Sequence, residues 1–328
     1  MKKLLTTVAA ILAIALLTGC PGAPKDTDGS GDSSGSGSGA GTGTGNGGSG
    51  SGGGSGSGAT TPSRTKATGK IGEWEGTYEV GDIVFSDGSA TPYSNTLTLT
   101  QEQKVAAIAI IFYKGSDLNS GDSTKTRTLG VGLYHTEAPV MWCSDEADGF
   151  DRNIETIICT QFKKENGKYV FQKNADKDGS DNLEQIEAFE GIDDTTGEGA
   201  ADRYPAFYFA KNYKDKEGSR VKNTEYEDGW YLPSSAEICE IYYTFTTVQA
   251  ACNLCNGSEF RTDYRDRYWT SSQSFSNNVN VLADIITFNQ VSWDCTSSDK
   301  NIDQNGLEWE NGQQVYKDNY YALAIREF

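Results

Sequence analysis

All 36 Phe, Trp and Tyr residues of this 328-residue chain lie beyond residue 70. A core cannot form without large apolar side chains, so a boundary near residue 70 separates material that cannot fold alone from material that can. The first 70 residues also hold 19 of the 38 glycines, with three acidic residues against six basic ones. Removing that +3 from the total of −18 leaves residues 71–328 with a formal charge of −21. Their length suits one large domain or two small ones. Phosphate neutralisation needs clustered Lys and Arg, and none is found, so nucleic acid and anionic polysaccharide are poor partners. Charge of this sign fits an exported protein kept soluble by self-repulsion.

Met1-Lys2-Lys3 is a short positive end, and residues 4–17 are an almost uninterrupted apolar run. Residues 1–19 read as a signal peptide, because the run is too short for a permanent membrane span. Leu17-Thr18-Gly19-Cys20 resembles a bacterial lipobox. That resemblance implies diacylglycerol on the Cys20 sulfur and cleavage before it. Buried acyl chains contribute about 0.8 kcal/mol per CH₂, so Cys20 is expected to anchor the chain to a membrane. Pro21, where an aspartate would favour inner-membrane retention, points to the outer membrane. Residues 20–70 then form a lipidated cysteine and a flexible Gly/Ser-rich linker, whose root-mean-square reach is roughly 35–40 Å. Such standoff places the domain, residues 71–328, at the cell surface facing an external partner.

Within that domain, Val80 to Phe85 followed by Asp87-Gly88 reads as a strand and a turn. Thr100 to Gln103 has capping-box spacing and opens a helix ending near Ala107. Ile108 to Tyr113 and Thr128 to Tyr134 are apolar strands. Asp181-Asn182 caps a helix over LEQIEAF, Pro205 to Tyr213 is an aromatic helix, and Ser234-Ser235 opens helices reaching about Tyr243 and Leu254. Tyr268 to Ser272, Leu282 to Phe288 and Tyr321 to Arg326 are strands, while residues 290–316 read as a long irregular stretch. Short strands, few helices and long connections indicate an α+β fold.

Gly229-Trp-Tyr-Leu-Pro-Ser-Ser-Ala-Glu237 is similar to the strand-to-helix motif of the formylglycine-generating-enzyme branch of the C-type lectin fold. Tyr268 to Gln273 and Ala322 to Phe328 resemble its late core strand and its terminal strand. VGDIVFSDGSATPYS, TLGVGL, DGSDNLEQI and YPAFYFAKNY resemble the Treponema variable-protein group of surface lipoproteins, which a diversity-generating retroelement alters. The resemblance implies one C-type lectin-like, ligand-binding domain.

Six cysteines remain in the domain, and Cys143 with Cys159, flanking an Asp- and Asn-rich loop, is the favoured pair among fifteen possible pairings. Cys252 and Cys255 stand at i,i+3, with no second CxxC and no histidine partner, so a structural role is favoured over metal or redox chemistry. Cys239 reads as a buried small hydrophobe. The catalytic pair of the formylglycine-generating enzymes cannot be mapped here, so no residue is assigned catalysis and no cofactor or metal is expected. His135, the one histidine, ends an apolar strand without a nucleophile motif; Glu308 and Glu310 read as solvated charges. Residues 174–185 imitate a calcium loop for six positions, but Gln185 occupies the place of the bidentate Glu. A turn at Asp178-Gly179 followed by a helix cap is favoured there.

From Tyr264 to Phe328, 26 of 65 residues are Asn, Ser, Tyr or Asp, the composition of an adaptable paratope and also of ordinary polar loops. Aromatics scattered among these polar residues tip the balance towards binding. The expected ligand-binding residues are Phe275, Asn277, Asn278, Asn280, Trp293, Asp294 and Trp309, all read as loop positions. An extracellular protein or other macromolecule is the expected ligand. The alternatives are a relative of the sulfatase-modifying oxidases and a structural surface lipoprotein without a specific ligand.

Overall fold

A computed structural model describes residues 63–120, 124–157, 162–172, 175–191, 202–263, 265–276, 280–288, 294–300, 307–310, 313–316 and 318–328. The described chain opens with β1 (Thr65–Lys66), β2 (Trp74–Glu75), β3 (Asp82–Phe85) and β4 (Ala90–Pro92). The folded region therefore starts before residue 71, inside the stretch expected to be linker. Thr65 and Lys66 pair with Glu75 and Trp74, and the Arg64 guanidinium meets the buried Asp82 carboxylate at 3.0 Å. Composition missed this because backbone pairing needs no apolar side chain.

The capping box at Thr100 forms as expected: Thr100 Oγ1 accepts from Gln103 N and Gln103 Oε1 from Thr100 N. It opens α1 (Gln101–Ala106), which runs straight into β5 (Ala107–Gly115) and, after a loop, β6 (Arg127–Gly132). An exposed hairpin follows, β7 (Phe162–Glu165) with β8 (Lys168–Phe171). Its turn holds Asn166 at φ 50° and Gly167 at φ 79°, the left-handed pair that matches strand twist. Helices α2 (Asn182–Glu190) and α3 (Pro205–Lys211) precede β9 (Trp230–Tyr231), α4 (Ser235–Tyr243) and α5 (Phe245–Leu254).

The remaining strands are β10 (Asp266–Ser276), β11 (Asn280–Thr287), β12 (Asp294–Asp299), β13 (Leu307–Glu310), β14 (Gln313–Tyr316), β15 (Asn319–Tyr321) and β16 (Ile325–Glu327). Much of the expected irregular stretch 290–316 is thus strand, and the expected strand 321–326 is divided between β15 and β16. The fold is α+β, with mostly antiparallel sheets in one folded region.

Eight strands form the larger sheet in the order β1-β2-β4-β3-β5-β6-β16-β9, and a second sheet runs β12-β11-β10-β15. Both faces of the larger sheet are buried at its central strands β3, β5 and β6, which explains why β5 reads as a continuous apolar run. Ile83, Phe85, Ile110 and Phe112 enter one core cluster with the α4 and α5 side chains Ile238, Ile241 and Val248. Val84, Ile108 and Ile111 enter the other, with Trp142, Tyr204 and Phe207. The period of two continues in β10, where Tyr268 joins the first cluster and Trp269 the second. Trp269, Phe288, Leu323 and Ile325, all within expected strands, are buried.

Candidate functional site

The segment Leu232-Pro-Ser-Ser-Ala-Glu237 builds the polar centre of the domain. Ser234 caps α4 and forms a reciprocal box with Glu237, whose carboxylate is fully buried. Glu237 Oε2 accepts from Ser234 N at 2.8 Å and from Gly179 N at 3.1 Å, and Oε1 accepts from Tyr231 Oη at 2.7 Å. Arg127, 1% exposed, answers this charge. Its guanidinium reaches Glu237 at 3.1 Å, Asp178 at 3.0 Å and Glu327 at 3.2 Å, and donates to Tyr231 Oη at 2.8 Å. A buried charge held this way is compensated on every side.

The calcium-like stretch docks on that centre. Asp178 is engaged by Arg127, and Asp176 accepts from Asn182 Nδ2 at 2.8 Å and Ser120 Oγ at 3.2 Å. Burial pushes the Asp176 carboxyl up to about 6. Asn182 is no helix cap, since its amide bridges Asp176 and Ser271 Oγ. Asp181 holds the cap position without a side-chain cap bond. Gly179 opens a turn, its carbonyl accepting from Asn182 N at 3.3 Å, and is also a point of close approach: a Cβ there would lie 2.5 Å from Ser271 Oγ and 2.7 Å from Leu232 O. Asn174 lies outside the described residues. Among the described residues no group of three His, Cys, Asp or Glu is placed to hold a metal ion.

The β10–β11–β12 sheet carries three of the expected binding residues, Phe275, Asn280 and Asp294, and its register decides which of them can meet. Phe275 pairs with Val281 and Ser276 with Asn280, so Phe275 and Asn280 share one end of the sheet. Asp294 pairs with Thr287 at the opposite end, seven residues along β11 from Asn280. At about 3.4 Å per residue that is roughly 24 Å, too far for one small contact patch. Trp309 stands in the β13–β14 hairpin, opposite Gln314, and Glu308 opposite Val315. Phe275, Asn280, Asp294 and Trp309 are therefore strand positions, contrary to their expected place in loops. Asn277, Asn278 and Trp293 lie outside the described residues.

Below the 275–280 end, the sheet is locked. Gln273 is fully buried: its Oε1 accepts from Ile154 N at 3.2 Å, and its Nε2 donates to Ile154 O at 3.1 Å and Ile157 O at 3.3 Å. Lys300, 1% exposed, donates to Gln273 Oε1 at 2.9 Å, Gly149 O at 2.7 Å and Arg152 O at 3.3 Å, and stands 4.5 Å over the Trp142 ring. Asp284 is buried beneath the start of α4, where Ser235 Oγ donates to it at 2.8 Å. Burial pushes its carboxyl up to about 7, and hydroxyls from Ser235 and Ser274 only partly oppose this. Sequence reasoning singled out neither Gln273 nor Lys300 nor Asp284 as anchors. A Gln, Lys or Asp in a polar run carries no mark of burial; only its strand partners reveal it.

His135 is buried, with Nδ1 3.2 Å from Tyr268 Oη. Burial and the nearby Arg261 charge push it down to about 3, so it is neutral at physiological pH. Cys143, Cys239, Cys252 and Cys255 are free, buried thiols. The Cys143–Cys159 pair is therefore not formed, and Cys159 lies outside the described residues. Burial pushes Cys143 and Cys255 up to about 12, and Cys252 further, so none of these three supplies a thiolate at neutral pH. Compared with protein-family models, with curated proteins and with solved structures, the chain matches none.

Proposed function

We propose that this chain is a lipid-anchored cell-surface protein in which the C-terminal sheet, on a scaffold of the C-type lectin type, presents a ligand-binding surface centred on residues 275–280. One observation carries the reading. Phe275 and Asn280 stand at one end of a sheet whose base is fixed by buried Trp269, Gln273, Asp284 and Lys300. A fixed base beneath replaceable ends lets contact residues change without loss of the core, which a diversified binding protein requires. Asn277 and Asn278 fall between these two residues in sequence and belong to the same proposed surface. Asp294, at the other end of β11, does not. An oxidase using Cys143, Cys252 or Cys255 is disfavoured, because their buried thiols stay protonated.

Sequencing the coding locus in several isolates tests the reading. Replacements are expected to concentrate in 275–280 while 268–273 and 283–288 stay constant; replacements spread evenly through the domain would overturn it. Anchoring is tested separately: Cys20→Ala should release the protein from membranes, and protease added to intact wild-type cells should cut the domain.

A further inference from the structure

A groove of about 800 Å³ lies between the outward face of α2 and the segment Arg152 to Thr156. Its helical wall is Asp181, Glu184, Gln185 and Ala188, spaced i, i+3, i+4 and i+7 and so on one face, with Phe189 beside them. The opposite wall is Arg152, Asn153, Glu155 and Thr156. We propose that this groove docks a peptide segment of a partner protein that alternates Lys or Arg with apolar side chains.

Charge sets the class of occupant. Glu155, Asp181 and Glu184 outnumber the single cation Arg152, whose own neighbour is Asp151 at 3.9 Å. Asp181 spends nothing on capping α2. The groove therefore holds an excess of acceptors that Lys, Arg and backbone N–H groups would satisfy. Ala188 and Phe189 supply the apolar part, against which an aliphatic side chain or a lysine stem can lie. A divalent ion is a poorer occupant, because the described carboxylates do not gather into a metal-holding group.

Both walls are fixed before any partner arrives. Gln273 grips Ile154 and Ile157 beneath one wall, Lys300 holds Arg152 O, and Asn182 ties the start of α2 to Ser271. Binding to a preorganised groove avoids the cost of ordering it. The proposal concerns a face distinct from 275–280 and does not need those residues to bind anything.

The probe is a fluorescein-labelled Lys-Leu-Lys-Leu-Lys-Leu amide titrated against the full-length protein by fluorescence anisotropy. The triple variant Glu155→Gln/Asp181→Asn/Glu184→Gln is expected to weaken binding at least ~10-fold, and Ala188→Trp to block it by filling the groove. A charge-matched triple elsewhere, Glu73→Gln/Glu102→Gln/Glu217→Gln, should change the affinity less than ~2-fold, as expected for screened surface charge. Unchanged thermal midpoints would show that all variants fold. Equal losses in the two triples would mean diffuse attraction to an acidic protein and would overturn the proposal. So would peptide binding that survives Ala188→Trp, or no binding by the wild type.

Discussion

Lys300 donates to Gln273 across 2.9 Å, tying the residue after β12 to the middle of β10. The same ammonium holds Gly149 O and Arg152 O, so one side chain joins the sheet to the 149–157 segment. Lys300→Met keeps most of the volume but leaves buried acceptors unpaired, a loss of about 1–3 kcal/mol. Urea unfolding should show it, and hydrogen exchange should quicken at Ile154 and Ile157. A Lys300→Met protein as stable and as protected as wild type would mean that the ammonium is dispensable.

Gly179 is fixed by contact, not by backbone conformation. Its Cβ would sit 2.8 Å from Ser234 N and 2.7 Å from Leu232 O, both backbone atoms of the segment leading into α4. Gly179→Ala should cost about 1–3 kcal/mol, as overpacking does. Gly69→Ala or Gly167→Ala would be a poor control, since φ is +74° and +79° there. Ala188→Gly, on the exposed face of α2, is a better one and should cost about 1 kcal/mol. Finding Gly179→Ala milder than Ala188→Gly would remove the close approach as a constraint.

Asp284 makes a pH prediction whose sign is fixed by its surroundings. Its folded-state carboxyl titrates at about 7, above the roughly 3.9 of an unfolded Asp, so the folded protein holds the proton more tightly. This contribution is fully present below pH ~4, falls as pH rises and is lost above pH ~7. Asp284→Asn cannot titrate. The stability of wild type relative to Asp284→Asn should therefore fall between pH 4 and 7, measured by urea unfolding at several pH values. The slope is the readout, because a misplaced amide adds a pH-independent offset. A flat difference would show that Asp284 is ionised at low cost.

The capping box at Thr100 was legible because Thr100 and Gln103 satisfy helix-end groups within four residues of sequence, and Ser234 was legible as a helix start though its box with Glu237 was not read. The strands β5, β6 and β11 were legible because burial on two faces leaves apolar runs. β12 was not: Asp294-Cys-Thr-Ser-Ser-Asp299 has no apolar run and sits at the edge of its sheet, paired to β11 alone. The candidate site suffered for the same reason. With 290–316 read as loop, Asp294 and Asn280 looked like neighbours on one surface, whereas a ladder from Leu282↔Asp299 to Thr287↔Asp294 separates them. Tyr231 and Glu237 beside Arg127, and Ile154 and Ile157 beside Gln273, lie more than one hundred residues from their partners, beyond the reach of local pattern.

The last prediction separates base from surface within one strand. Trp269 is fully buried, stacks on Tyr320 at 4.7 Å and donates its indole N–H to Val140 O at 2.7 Å. Trp269→Ala removes a large core side chain and leaves that carbonyl unpaired, a loss of about 3–5 kcal/mol. For a domain of this size that lowers the melting midpoint by about ten degrees. Asn280→Ala, at the first position of β11, should stay within about 0.5 kcal/mol if Asn280 serves a ligand and not the core. Binding assays on the same two proteins should rank them the other way once Trp269→Ala is held well below its midpoint. An Asn280→Ala protein that melts as early as Trp269→Ala would return residue 280 to the core and remove it from the proposed surface.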